Sequence, residues 1–127
     1  MIFARRVFTF GGIWGLAILI THAFMEGRVG RDHPPAITHP EYFYGFVGIG
    51  IVWQIAFLLI SRDPVRYRPL MLVAVMEKAS FFIATVALYS LGRLHLEMLG
   101  AGVLDMMLGA LFFVAYLRTP RAMQIGG

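Results

Sequence analysis

Four stretches of this chain are almost continuously apolar, and short polar segments separate them. Val7 to Met25 and Tyr42 to Ile60 carry no Asp, Glu, Lys or Arg. Leu70 to Leu91 is interrupted only by Glu77 and Lys78, and Met98 to Leu117 only by Asp105. Each run is close to the ~20 residues that carry a helix across a bilayer. The connections are 16, 9 and 6 residues long, short enough to set neighbouring spans antiparallel. In hydrocarbon the backbone must satisfy its own hydrogen bonds, which a helix does. The pattern therefore predicts an all-α, integral membrane four-helix up-down bundle, with residues 1–127 as a single transmembrane domain.

The span limits have a second marker. All five tyrosines (Tyr42, Tyr44, Tyr67, Tyr89, Tyr116) fall at or within three residues of a predicted span end. There a ring that is half apolar keeps its hydroxyl in the wet headgroup zone. The arginines set the orientation. Arg5, Arg6, Arg62, Arg66, Arg68, Arg118 and Arg121 fall on one side, against Arg28, Arg31 and Arg93 on the other. By the positive-inside rule both termini are cytoplasmic, and the location expected is a bacterial cytoplasmic (inner) membrane, crossed several times. The first span follows Met-Ile-Phe-Ala-Arg-Arg, a start that also suits a signal peptide. Nineteen apolar residues are long for that role, so the span is expected to be retained.

Composition agrees. Hydrophobic residues make up 59% and charged residues 14%, far from the about 45–50% and about 25% of soluble domains. With no cysteine, disulfides, thiolate metal sites and cysteine nucleophiles are excluded. The net charge of +4 lies at span ends and so points to lipid headgroups, not nucleic acid. No phosphate-binding, dinucleotide or nucleophile-elbow motif is present.

The candidate chemistry lies inside the spans. Counted from the cytoplasmic end, Gln54, Trp14, Trp53, Glu77 and Lys78 share a layer ~9–12 Å deep, with Asp105 at ~18 Å. A charge at mid-membrane costs at least ~2.5–3.5 kcal/mol and rarely persists without a partner or a function. Glu77 and Lys78 point ~100° apart, so each is expected to need its own partner. Asp105 shares a stripe with Ala101, Gly102 and Gly109, and Gln54 lies one turn from Gly50. Small residues let helices approach, which turns both polar groups toward the bundle interior. Gly11 and Gly15 add a GxxxG spacing in the first span.

Three arrangements fit these residues. In one, Gln54, Glu77, Lys78 and Asp105 line a polar pocket with Trp14 and Trp53 as its walls. In the second, Lys78 bridges Asp105 or Glu77 as a structural clasp. In the third, the charged residues contact another subunit. The four histidines (His22, His33, His39, His95) lie on the non-cytoplasmic side with Glu26, Asp32, Glu41 and Glu97. His22 and Glu26, four apart, are expected on one helix face. No metal signature spacing occurs, so no metal ligand is assigned. The segment from Glu26 to Glu41, with three prolines and two glycines, is expected to be irregular.

The stretches "YFYGF", "WQ", "RYRPLM", "EK" and "LGALFFVAYLRT" resemble small bacterial four-helix membrane proteins. In length and span count the chain is loosely similar to the DoxX-like group. That resemblance implies a four-helix fold and a link to quinone-related redox or detoxification systems, and it transfers no catalytic residue. Three functions follow in order. The first is binding or handling a small apolar or amphipathic molecule, a lipid or a quinone. The second is an accessory subunit of a larger membrane complex or homo-oligomer. The third is intramembrane acid–base catalysis, for which no cofactor motif or activated nucleophile is present.

Overall fold

The computed structural model describes residues 2–32 and 37–122. Five helices follow one another: α1 (Ile2–Ala23), α2 (Glu26–Asp32), α3 (Pro40–Arg62), α4 (Arg68–Ser90) and α5 (Leu96–Arg118). Four of them, α1, α3, α4 and α5, are 22 or 23 residues long and apolar enough to cross a membrane. At ~1.5 Å per residue each reaches ~33–35 Å, enough for the hydrocarbon core. The fold class expected from the sequence, all-α with four long apolar helices running up and down, is the one observed. The protein is a four-span membrane protein.

Chemistry at the helix ends explains their limits. Pro40 opens α3 and Pro69 stands in the first turn of α4, where a missing N–H loses nothing. α4 stops at a Schellman turn. Gly92 takes φ +70°, its N–H donates to the Tyr89 carbonyl at 3.0 Å, and the Arg93 N–H donates to the Leu88 carbonyl at 2.9 Å. Only glycine enters that backbone region without strain. Near the ends, Thr21, His22 and Ser90 return their side-chain donors to carbonyls four residues back, at 2.7, 3.0 and 2.8 Å. A polar side chain close to lipid is satisfied in this way by its own helix.

The contacts group the chain into two compact units, Met1–Phe8 with Ile60–Gly127, and Thr9–Leu59. In the first unit α4 and α5 run antiparallel. Arg68 meets Thr119, Lys78 meets Gly109 and Thr85 meets Gly102, so the paired numbers always sum alike. The start of α1 joins this unit, with the Phe8 ring stacked on Phe112 at 4.2 Å. In the second unit α1 and α3 are antiparallel by the same test: Gly12 faces Leu58, Gly15 faces Gln54 and Gly50 faces Leu19. Gly12 and Gly15 of α1 thus lie against α3.

Less than a third of each span is buried by protein, 22–28%. Ile13, Ile49, Val52, Ile83, Leu104 and Met107 lie open. So large an apolar surface suits hydrocarbon and no aqueous environment.

Two expectations are corrected. The segment after the first span is not irregular throughout, because Glu26–Asp32 forms α2. Its prolines all come later, at 34, 35 and 40. An acidic first residue and Arg31 in the last turn complement the helix dipole. Consequently His22 and Glu26 do not share a helix, since α1 ends at Ala23.

Candidate functional site

Three of the six sequence-predicted site residues meet in the first unit. The buried positions of α4 are Met71, Ala74, Lys78 and Thr85, a stripe with helical spacing that faces α5. On α5 the buried positions Gly102, Leu108, Gly109, Phe112 and Ala115 carry the small residues that admit it. A Cβ on Gly109 would stand 3.0 Å from the Lys78 Cβ. The stem of Lys78 therefore passes over a glycine, and its ammonium extends along α5 toward Asp105. Lys78 Nζ donates to Asp105 Oδ1 at 3.3 Å. The same nitrogen lies 3.8 Å from Glu77 Oε2.

Side-chain exposures are 5% for Lys78, 20% for Glu77 and 26% for Asp105. The cation is the buried member, and the carboxylates flank it. Glu77 and Lys78 do leave the helix in different directions, as expected, but the long lysine arm reaches back into ion-pair range of its neighbour. Glu77 Oε2 itself is buried and makes no hydrogen bond among the described residues. A buried acceptor without a donor is unfavourable by about 1–3 kcal/mol, more for a charged group. With both carboxylates ionised the cluster holds two negative charges and one positive. Glu77 Oε2 therefore has a lone pair open to an N–H or O–H donor.

The other three predicted residues belong to the second unit. Gln54, 2% exposed, packs its side chain on Gly15. Its Nε2 donates to the Gly50 carbonyl at 3.0 Å, the residue one turn away that the sequence singled out. Its Oε1 is buried without a hydrogen bond among the described residues. Trp53 is half-buried beside Phe57, with ring centroids 6.2 Å apart. Trp14 is 46% exposed and stacks on Phe10 at 6.1 Å. Its indole faces outward along α1.

Sequence reasoning missed the partner of Glu26. Tyr44 donates its hydroxyl to Glu26 Oε2 at 2.8 Å and ties α3 to α2. His39 and Glu41 pair at 3.2 Å. Among the described residues no three His, Asp or Glu side chains converge as a metal site would require. His33 lies outside the described residues.

No protein-family model matches the chain, and no curated protein or solved structure matches it either. These comparisons lend no support to the resemblance to DoxX-like proteins.

Proposed function

We propose that this four-span protein resides in a bacterial cytoplasmic membrane, with both termini cytoplasmic, and binds or handles a small amphipathic molecule at the Glu77–Lys78–Asp105 cluster. The observation that carries this reading is the buried Glu77 Oε2, an acceptor without a donor beside an ammonium already engaged by Asp105. A lipid hydroxyl or the hydroxyl of a reduced quinone would supply the missing donor, while its apolar part stays in the hydrocarbon. Lys78 then has two tasks. It holds Asp105, and it offsets the charge of Glu77 so that the carboxylate persists at this depth.

The clasp is the second reading, and the 3.3 Å link from Lys78 to Asp105 favours it. The two readings divide on Glu77, which a clasp between α4 and α5 does not need. Native mass spectrometry of protein extracted in mild detergent, wild type beside Glu77→Gln, separates them. The ligand reading predicts a small molecule bound to wild type and lost from the variant. Equal spectra, or stoichiometric protein partners and no small molecule, would instead favour a clasp within an accessory subunit.

A further inference from the structure

The first unit also gathers arginines at the end where α1 begins and α5 stops. Arg5 and Arg6 lie in the first turns of α1, Arg62 ends α3, and Arg66 and Arg68 lead into α4. Arg118 ends α5, and Arg121 follows it. The one carboxylate in these segments is Asp63.

Three of these guanidinium groups are held in place. Arg68 Nε donates to the Thr119 carbonyl at 2.7 Å, capping the end of α5. Its guanidinium carbon lies 3.9 Å over the centre of the Tyr116 ring. Arg118 stacks over Phe3 at 4.5 Å and Arg66 over Tyr67 at 5.6 Å. None of the three forms an ion pair with a described carboxylate. With its Nε engaged and its plane fixed by Tyr116, the Arg68 side chain has no further hydrogen bond among the described residues, which leaves its terminal N–H groups for two oxygens of one partner.

We propose that this end of the unit is a binding surface for an anionic phospholipid, whose headgroup phosphate is gripped by Arg68 with Arg66 and Arg118. Charge complementarity calls for an anion, and the apolar surroundings make it a lipid. Just inside the arginines, Leu117, Phe113, Leu72 and Val73 present open apolar surface on α4 and α5, along which acyl chains lie. A basic residue near an anionic headgroup contributes ~1 kcal/mol, or about fivefold in affinity. A bidentate guanidinium adds geometry that an ammonium lacks. This surface is independent of the cluster at Glu77.

The test is native mass spectrometry of the detergent-solubilised protein titrated with phosphatidylglycerol and, separately, with phosphatidylcholine. Wild type is expected to retain phosphatidylglycerol preferentially, and Arg66→Gln and Arg118→Gln to weaken it about fivefold each. Arg68→Lys keeps the charge but loses the fork and the stack, so it is expected to bind less well than wild type. Arg93→Gln, beyond the far end of α4, serves as control and should bind normally. If Arg68→Lys unfolds the protein, the two exposed variants still decide. Equal retention of both lipids by wild type, equal loss with Arg93→Gln, or displacement of the lipid by inorganic phosphate alone would overturn the proposal.

Discussion

Removing the charge of Asp105 separates a shared ammonium from a simple pair. Lys78 Nζ lies 3.3 Å from Asp105 Oδ1 and 3.8 Å from Glu77 Oε2. At an effective dielectric of about 20, unit charges at these distances attract by ~5 and ~4 kcal/mol. The two carboxylates are therefore close to interchangeable as counter-charges, with Asp105 the nearer and accepting a hydrogen bond from Lys78. Asp105→Asn should destabilise the protein by about 1.5–3 kcal/mol, the worth of a hydrogen bond to a charged group. Glu77→Gln alone should do less, because Glu77 lies farther from the ammonium than Asp105 does. Together the two substitutions take both carboxylates from a buried ammonium, and the loss should approach about 3–5 kcal/mol. Lys78→Met in that double variant should then recover much of it, since no buried charge remains. The assay is reversible unfolding in mixed dodecyl maltoside and SDS micelles, followed by circular dichroism. Single losses that add to the double within about 0.5 kcal/mol would refute the shared-cation reasoning.

Three further outcomes are expected. A Cβ on Gly102 would run into Thr85 Oγ1 and stand 2.9 Å from the Thr85 Cβ, so Gly102→Ala should overpack the α4–α5 contact by about 1–3 kcal/mol; Thr85→Ala in the same chain removes Oγ1 but keeps the Cβ, and should restore stability only in part in the same unfolding assay. At Gly92, φ +70° makes Gly92→Ala destabilising by about 1–2 kcal/mol, and faster amide exchange at Arg93 would report the opened Schellman turn. The absence of cysteine gives a clean background for topology: in intact cells an impermeant maleimide should label Arg93→Cys and leave Asp63→Cys unlabelled.

Much of the fold was legible because the membrane makes a coarse demand. Apolar runs of the right length mark the spans whatever their packing. The helices nevertheless extend past those runs, α1 starting at Ile2 and α5 ending at Arg118. A hydrogen-bonded ladder continues through arginines at the interface, where hydropathy no longer reports it. The two-turn α2 was hidden for a related reason, since the prolines of the whole segment masked its proline-free first half. On α5 the small-residue stripe was read correctly: Gly102 and Gly109 are buried against Thr85 and Lys78. In α1, Gly11 and Gly15 were singled out by their spacing; Gly11 is buried, and Gly15 meets α3 together with Gly12, which the spacing did not mark.

The candidate site was legible in part. Lys78 with Asp105 was one of the pairings the residues allowed, because both lie on the small-residue faces of consecutive antiparallel helices. The approach of Lys78 to Glu77 was not, since helical angle describes where a side chain leaves the backbone and not where a four-carbon arm ends. Trp14 shows the reverse limit. Its depth could be counted, but its outward direction depends on which side of α1 closes on α3, and two adjacent glycines leave that undecided in sequence.

The most direct measurement is a crystal structure grown from a lipidic mesophase after gentle extraction, with attention to the carboxylate of Glu77. The account predicts non-protein density with a polar atom within about 3.2 Å of Oε2 and an apolar body continuing into the hydrocarbon. A Glu77 carboxylate closed on a protein donor, with no such density, would contradict it and leave Glu77, Lys78 and Asp105 as a structural clasp.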